Sequence, residues 1–420
     1  MRYVIIGNGA AGVRAAETLR ALDPAGETTM IAEENLPAYS RCLLPNFLAG
    51  YRDRESLRIR PRNFYEENNI RTLYGRRALA VDTKAREVKL GDGTVVPYDK
   101  LLIATGASSS MPPVPGIGGQ NVFGLRHLAD AEGILKACAG ARRVVVIGGG
   151  FVGLEAAYAL YGRGLEVTVV EKMPHILPQQ MDARAAGIIM RDMQAEGIRF
   201  ILGRGIAEIV NPGLWSRLFG RPGKGVILED GERLKADVVI VATGTRPNVD
   251  LLRGSGIAVN RGIPVNEYME TNIPDVYAAG DVVETQDSIT GRRGLTPIWP
   301  NACAQSRIAA YNMAGQKRVY GGMIGMQNAV EFREVPAIAM GLTQPEGEEY
   351  EVLTDYRPER NLYKKLVLKG DVLVGLILVG DIRQAGVYGA LMKKKADVRP
   401  FRHLLMRDDF SYGHLLRQAG

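Results

Sequence analysis

Two glycine-rich segments of this chain have the residue types and spacing of phosphate-binding loops. Gly7–Gly12 reads GNGAAG and follows a β-branched run, and Gly148–Gly153 reads GGGFVG and follows a similar run. In a G-x-G-x-x-G loop the first glycine allows a tight turn, the second lets a pyrophosphate approach the backbone, and the third lets a helix pack on the strand. The helix N-terminus then points at the phosphates. Two such segments, each between a strand-like and a helix-like run, predict two dinucleotide-binding sites.

Each segment is followed about twenty residues later by an acid at the end of a second apolar run, as in dinucleotide-binding folds. The first acid is Glu33 or its neighbour Glu34, and the second is Glu171. A carboxylate at this position binds the hydroxyls of an adenosine ribose and repels a 2′-phosphate. Glu171 therefore favours NADH over NADPH, a preference that Lys172 beside it would soften. Two dinucleotides in one chain imply hydride exchange, for which a flavin and a nicotinamide are the natural pair.

Further repeats indicate the order of the domains. The run 101–106 ends in Ala-Thr-Gly and is echoed by the run 239–244, which also ends in Ala-Thr-Gly. A further strand-like run, 275–281, follows both copies, so the second unit is predicted to be inserted into the first. Beyond residue 331 the pattern changes to a hairpin around Gly370-Asp371 and a helix over 387–395.

We therefore predict an α/β protein with two Rossmann-like dinucleotide-binding domains and a small α+β C-terminal domain. The NAD domain is expected to be inserted in the FAD domain. The expected boundaries are 1–112 and 246–328 for the FAD-binding domain, 113–245 for the NAD(P)H-binding domain and 329–420 for the C-terminal domain.

Composition excludes several classes of protein. Hydrophobic residues make up 46% of the 420 residues and charged residues 24%, which is typical of a globular chain. Three cysteines, no long apolar run and a strand-like N-terminus argue against a secreted, disulfide-linked or membrane-spanning protein, so we expect a cytoplasmic location. The net charge of +7 favours acidic partners. Neither a metal site nor a nucleic-acid partner is predicted, and a homodimer stays open.

These motifs resemble the FAD-dependent pyridine nucleotide–disulfide oxidoreductases. Besides the two glycine loops and the two Ala-Thr-Gly runs, Thr271–Asp281 is similar to the second flavin motif of that family. The first loop and the segment Leu376–Arg383 resemble the branch that contains the NADH-binding part of nitrite reductases and the NADH:rubredoxin reductases. The resemblance implies electron transfer from NADH through FAD to a protein carrier, such as a rubredoxin, a ferredoxin-like iron–sulfur protein or a reductase subunit.

The resemblance also implies a role for individual residues. The residues that it assigns to FAD are Gly7, Gly9, Ala11, Gly12, Glu33 or Glu34, Arg41, Cys42, Ala78, Ala104, Thr105, Gly106, Arg126, Gly280, Asp281, Trp299 and Ala302. Those that it assigns to the nicotinamide dinucleotide are Gly148, Gly150, Phe151, Val152, Gly153, Glu155, Glu171, Thr243 and Gly244. Phe151 is expected to cover the flavin, and Glu155 to orient the nicotinamide amide. Simple packing or surface roles stay open for Phe151, Trp299, Ala78 and Arg126.

The choice between a protein carrier and a small molecule as electron acceptor depends on Cys42. A lone redox cysteine stands near this place in coenzyme A-disulfide reductases and NADH oxidases, whereas the nitrite and rubredoxin reductase branch needs none. No second cysteine lies two or four residues away, which excludes a local redox disulfide. Reductases of oxygenase systems carry Ser-Lys after this segment, with the lysine paired to the acid that matches Glu155. Here the positions read Pro45-Asn46, so that ion pair is not expected.

Two other readings stay open. The alternative enzyme is an NADH oxidase or coenzyme A-disulfide reductase that uses Cys42, and the alternative outside enzymology is an FAD-binding module of a larger assembly. The segment 211–224 contains Trp215, Leu218 and Phe219 among basic residues, which suits an interface anchor or a loop folded back on its own domain.

Overall fold

The computed structural model describes residues 1–210, 224–322, 324–325, 327–332 and 334–416. The chain folds into two compact units. Unit 1 comprises Met1–Arg41, Asp53–Ser108 and Thr245–Met323, and unit 2 comprises Cys42–Arg52, Ser109–Gly244 and Ile324–Gly420. The predicted interface segment 211–224 lies outside the described residues except for its last residue, Lys224. The division into three domains stays a prediction.

Helices and strands are numbered in chain order. Up to residue 109 they are β1 Arg2–Ile6, α1 Ala10–Leu22, β2 Glu27–Ile31, α2 Leu44–Ala49, α3 Phe64–Glu67, β3 Ile70–Leu73, β4 Ala78–Asp82, β5 Glu87–Leu90, β6 Val95–Pro97, β7 Lys100–Ile103 and β8 Ala107–Ser109. From there to residue 241 they are β9 Val122–Phe123, α4 Leu128–Cys138, β10 Arg143–Ile147, α5 Phe151–Tyr161, β11 Glu166–Glu171, α6 Ala183–Glu196, β12 Arg199–Leu202, β13 Ile206–Val210, β14 Gly225–Leu228, β15 Arg233–Lys235 and β16 Val238–Val241. The remainder are β17 Thr245–Pro247, β18 Ile263–Pro264, β19 Val276–Ala278, β20 Val283–Gln286, β21 Arg293–Leu295, α7 Trp299–Met313, β22 Gln327–Phe332, β23 Val335–Gly341, β24 Tyr350–Arg357, β25 Leu362–Lys369, β26 Val372–Val379, α8 Ala385–Lys394 and α9 Tyr412–Leu416.

Unit 1 is built on a parallel sheet in the order β19-β7-β1-β2-β3. Its central strand, β1, is a run of buried apolar residues, as expected for a strand covered on both faces. Helices α1 and α7 pack against each other beside this sheet. Strand β19 follows the second glycine loop in sequence yet pairs with β7, which confirms that the second unit interrupts the first.

Unit 2 contains a second parallel sheet in the order β12-β11-β10-β16-β9. Its central strand, β10, pairs with β11 and β16 in the same way that β1 pairs with β2 and β7. A three-stranded antiparallel sheet accompanies each parallel sheet, β4-β5-β6 in unit 1 and β13-β14-β15 in unit 2. The internal repeat predicted from the sequence is therefore also a repeat of structure.

The C-terminal part of unit 2 is an antiparallel sheet in the order β22-β23-β26-β25-β24, with α8 packed on β26. The predicted hairpin is confirmed, because β25 and β26 pair on either side of Gly370-Asp371. Gly370 has a φ of +57°, which a glycine adopts readily. Helix α8 begins at Ala385, two residues earlier than the sequence suggested. No helix among the described residues is both long and apolar enough to cross a membrane.

At Gly375 the backbone of β26 lies in close contact with the backbone of Leu342, which follows β23. A Cβ atom added there would lie 1.9 Å from the carbonyl oxygen of Leu342, which the chain cannot accommodate without moving a strand. We expect Gly375→Ala to destabilise the protein by about 2–3 kcal/mol. Gly386→Ala is the matched control, since a Cβ there meets nothing within 4 Å and helix α8 should gain up to about 1 kcal/mol. Urea denaturation of both variants tests this, and equal stabilities would contradict it.

Candidate dinucleotide-binding sites

The first glycine loop brings α1 into direct contact with the backbone of the sheet. A Cβ atom on Gly7 would lie 2.1 Å from the carbonyl oxygen of Ala104, and one on Gly12 would lie 1.9 Å from that of Gly7. Gly7 also has a φ of +120°, in the region that favours glycine. Both positions therefore require glycine, for reasons of space at Gly12 and of space and conformation at Gly7.

The second glycine loop repeats this geometry in unit 2. A Cβ atom on Gly148 would lie 2.4 Å from the carbonyl oxygen of Ala242, and one on Gly153 would lie 2.1 Å from that of Gly148. Gly148 has a φ of +108°. Ala104 in unit 1 and Ala242 in unit 2, at matching positions of the two Ala-Thr-Gly runs, thus lie in equivalent positions beside the two loops.

The helices that follow the two loops leave their N-terminal amides open. Gly9 precedes α1 and Gly150 precedes α5, and neither helix has a side-chain cap among the described residues. A Cβ atom on either glycine would meet nothing within 4 Å. Helix α6 differs, because its N-cap, Asp182, accepts a hydrogen bond from the Ala185 amide. Open, uncapped helix starts at both loops suit two pyrophosphate groups.

The second flavin motif lies beside the first glycine loop within unit 1. Gly280 has a φ of +86°, and a Cβ atom there would lie 3.2 Å from Ala11 Cβ and 3.7 Å from Ala302 Cβ. The Gly280 amide donates a hydrogen bond of 2.9 Å to Gln305, a buried side chain of α7. Asp281 follows directly in sequence. The fold therefore brings together Ala11, Gly280 and Ala302, three of the residues that the resemblance assigns to FAD.

The N-terminus of α7 adds features that fit a bound group. Trp299 is its first residue, partly buried, and no side chain of the described residues caps the helix. Asn301 is 2% exposed and donates to the Thr296 carbonyl, but its Oδ1 has no partner among the described residues. A buried acceptor without a donor suits a ligand with an N–H or O–H group, and FAD carries both.

In the first site, the position that corresponds to Glu171 is not occupied by an acid. Ile6 pairs with Ile31 and Ile147 pairs with Val170, so the position equivalent to Glu171 is Ala32. The side chain of Glu33 is 67% exposed and lies 3.7 Å from Arg77.

Glu34 is the more enclosed of the two candidates, with 25% of its side chain exposed. It accepts hydrogen bonds of 2.6 Å from Arg41 and 2.7 Å from the Tyr39 hydroxyl. The structure therefore brings the predicted residues Glu34 and Arg41 together and leaves Glu33 at the surface.

The carboxylate of Glu171 is held by the backbone around it. Its two oxygens accept hydrogen bonds from the amides of Gly149 at 2.7 Å and Met173 at 2.8 Å, and the residue is 9% exposed. Lys172 points elsewhere, since it pairs with Glu229 at 3.1 Å. Backbone amides therefore fix this carboxylate beside the second glycine loop.

Other predicted residues have structural partners or belong to other parts of the fold. Thr105 donates to the Asn248 carbonyl at 2.8 Å, and the Asn248 amide group donates back to the Thr105 carbonyl at 3.0 Å. Ala78 begins β4 in the antiparallel sheet of unit 1. Cys42 and Arg126 belong to unit 2, so unit 1 alone does not bring them to the first loop. Cys42 is exposed.

Glu155 is the most perturbed acid of the second site. Burial on α5 raises the pKa of Glu155 from 4.5 to about 7. No salt bridge to Glu155 occurs in the described part of the chain. Helix α5 packs against α2, where Pro45-Asn46 stands in place of Ser-Lys. Phe151 and Val152 form the first turn of the same helix, and Val152 is 44% exposed.

Several contributing residues were missed by sequence reasoning. Gln305 and Asn248 act through hydrogen bonds to residues 25 and 143 positions away, for which no local pattern exists. Leu177, with a φ of +51°, donates its amide to the carbonyl of Gly149. A buried leucine in the left-handed region leaves no signal in sequence. No group of three metal-binding side chains was found among the described residues.

The pKa of Glu155 predicts a pH-dependent cost to stability. Because the pKa is raised, ionisation opposes folding; the cost is absent below pH 4.5, grows up to about pH 7 and stays constant above it. We expect Glu155→Gln to raise the melting temperature by about 2–4 °C at pH 8 and to leave it unchanged at pH 4.5. Glu208→Gln, an exposed acid of β13, is the control. A gain that is independent of pH would count against the prediction.

Sequence profiles of two families match the chain. The pyridine nucleotide-disulphide oxidoreductase profile matches residues 1–314, and that of the rubredoxin NAD+ reductase C-terminal domain matches residues 330–396. Nitrite reductase [NAD(P)H] of Bacillus subtilis is 32% identical over 399 residues, which are 94% of this chain and 48% of the relative. The chain thus spans about half the length of that relative.

Two further proteins match over nearly their full length. The NADH-dependent phenylglyoxylate dehydrogenase subunit epsilon of Aromatoleum evansii is 32% identical over 418 residues, 98% of this chain and 96% of the relative. The reductase in a covalent putidaredoxin reductase–putidaredoxin complex superposes with a TM-score of 0.88 at 26% identity, covering 100% of this chain and 98% of that one. The resemblance inferred from the sequence is confirmed. The chain belongs to the pyridine nucleotide-disulphide oxidoreductase family, whose members bind FAD and NAD(H).

Proposed function

We propose that this protein transfers electrons between NADH and an iron–sulfur carrier protein or partner subunit, with FAD as the intermediate. The observation that carries the proposal is the pair of uncapped helix N-termini, α1 in unit 1 and α5 in unit 2, each behind a glycine loop that tolerates no side chain at its first and third glycines. When bound, FAD supplies the step between two-electron hydride chemistry and single-electron transfer. The chain itself positions the two dinucleotides.

The residues of unit 1 would hold FAD by its phosphates and sugars. The amides of α1 would bind the pyrophosphate, and Glu34, oriented by Arg41, would bind the adenosine ribose. Asp281, beside Gly280, would bind the ribityl chain. Asn301 Oδ1, a buried acceptor, would receive a hydrogen bond from the bound group.

The residues of unit 2 would bind the nicotinamide dinucleotide. The amides of α5 would bind its pyrophosphate, and Glu171 would bind both hydroxyls of the adenosine ribose, which favours NADH over NADPH. Glu155, half neutral near pH 7, would orient the nicotinamide amide.

An acidic partner is supported by arginines on the unit that holds the first glycine loop. Residues 54–62 contain four arginines and one acid. Arg62, with 75% of its side chain exposed, pairs with Glu55, and Arg60 pairs with Glu17 of α1, which also pairs with Arg14. Basic charge near a redox site increases the rate of encounter with an acidic protein, and salt screens the effect. A cytoplasmic location accords with the low cysteine count, and a homodimer stays open.

A soluble carrier and a partner subunit are both compatible with the relatives. The rubredoxin NAD+ reductase C-terminal domain and the putidaredoxin complex support a carrier. The end-to-end match to a dehydrogenase subunit supports a role inside an assembly. The second candidate function, reduction of a small molecule such as oxygen or coenzyme A disulfide, is favoured by the exposure of Cys42.

The test of the proposed function is anaerobic reduction of the FAD-loaded protein by NADH, followed by mixing with rubredoxin or ferredoxin. We expect rapid bleaching of the flavin by NADH and transfer to a carrier at a rate that falls as salt is raised. No transfer at any salt concentration, together with fast direct turnover of oxygen, would overturn the proposal in favour of an oxidase.

Removal of Glu171 should change the choice of dinucleotide. Glu171→Ala deletes the ribose acceptor and the acceptor of the Gly149 amide, so we expect the Kd for NADH to rise about tenfold or more and that for NADPH to change less. Stopped-flow reduction at varied dinucleotide concentration measures both constants. Glu229→Ala, which removes only the exposed partner of Lys172, is the control. Equal losses for the two dinucleotides would contradict the assigned role.

Replacement of Cys42 separates the two candidate functions. Under the proposed electron transfer, Cys42→Ser should keep flavin reduction and turnover with a carrier within about twofold of the unchanged protein, because no step uses the thiol. Turnover that is lost while reduction by NADH persists would instead identify Cys42 as the redox group of a small-molecule reductase.

A further inference from the structure

The segment 172–182 links the second dinucleotide site to the C-terminal sheet within unit 2. It begins after Glu171, at the end of β11, and ends at Asp182, the N-cap of α6. Ile176, Leu177 and Met181 are fully buried along it. It is hydrogen-bonded both to the glycine loop and to a side chain that lies more than 160 residues further along the chain.

At its middle residue, Leu177, the segment is hydrogen-bonded to the glycine loop. The Leu177 amide donates to the Gly149 carbonyl at 2.9 Å, and the Gly149 amide donates to Glu171 at 2.7 Å. Leu177 adopts a φ of +51°, which is costly for a leucine and persists only where surrounding contacts enforce it. The segment thus contacts Gly149 through the Leu177 amide and the Glu171 carboxylate through the Met173 amide.

At its second end the segment is held by Gln344, three residues beyond β23. The Gln344 amide group donates to the carbonyl of Pro178 at 2.8 Å and to that of Met181 at 3.0 Å. One side chain thus uses both of its donors on two carbonyls of the segment. The side chain comes from the region that matches the rubredoxin reductase C-terminal domain.

Strand β25 provides a second anchor at the same place. Asp182 accepts hydrogen bonds from the Tyr363 hydroxyl at 2.7 Å and from Lys365 Nζ at 3.0 Å, as well as from the first turn of α6. The side chain of Lys365 is only 10% exposed, so this ion pair is shielded from solvent. Gln344 and strand β25 therefore both attach the second half of the segment 172–182 to the C-terminal region.

We propose that Gln344 is a positioning residue for NADH binding, acting through the segment 172–182 on Gly149 and Glu171. The inference rests on the proposed binding of NADH at the second loop. A segment that is ordered before the ligand arrives removes an ordering cost from binding, and the apparent Kd rises when the competent conformation is less populated. The C-terminal sheet thereby contributes to dinucleotide affinity without contacting the dinucleotide.

The test replaces Gln344 with methionine, which has similar length and no hydrogen-bond donor. We expect the Kd for NADH in Gln344→Met to rise about three- to tenfold, with the limiting rate of flavin reduction at saturating NADH and the FAD content unchanged. Amides of residues 173–181 should exchange hydrogen faster in this variant before any dinucleotide is added. Gln194→Met, on an exposed glutamine of α6, is the matched control and should change neither quantity.

Tyr363→Phe tests the second anchor by removing only the hydroxyl that donates to Asp182. We expect Tyr363→Phe to raise the Kd for NADH less than Gln344→Met does. The double variant should raise the Kd more than either single variant. A Kd and exchange rates in Gln344→Met equal to those of the unchanged protein would overturn the inference. A fall in the limiting rate or in FAD content together with the melting temperature would also overturn it, because that pattern marks a general structural role. If the unchanged protein itself fails to bind NADH, the proposed function fails instead.

Discussion

Contact between backbone atoms at the two glycine loops is the constraint on which the remaining architecture depends. The third glycine of each loop lies against the carbonyl of the first, and the first lies against the end of a neighbouring strand. A single methyl group at any of these places would push the helix away from the sheet. Because the helices approach so closely, their uncapped amides lie at the carboxyl ends of the central strands, where phosphates bind in folds of this type.

Neither acid of the second site, Glu171 or Glu155, is neutralised by an opposite charge among the described residues. Glu171 is held by two amides, and neither lysine nor arginine neutralises it among the residues that the structure describes. Glu155 has no such amide partners there, so burial alone sets its pKa near neutrality. Glu171 and Glu155, sixteen residues apart in sequence, thus differ in environment, because one faces backbone donors and the other is desolvated on a helix.

Side chains of the C-terminal region form hydrogen bonds with the segment 172–182. Gln344, Tyr363 and Lys365 all reach the segment that follows Glu171. This arrangement places residues of the C-terminal region within the same compact unit as the second glycine loop.

The amino-acid sequence alone determined the two glycine loops, the insertion of one unit into the other, the hairpin at Gly370-Asp371 and the family. These features depend on local chain geometry, since a strand, a tight turn and a helix are encoded within about twenty neighbouring residues. Only the tertiary structure distinguished Glu34 from Glu33, because the sheet register and the contact with Arg41 decide which acid is enclosed. It also decided the anchoring of Asp182 and the left-handed conformation of Leu177. Those depend on side chains brought together from distant segments, and such contacts follow from packing rather than from any spacing within the sequence.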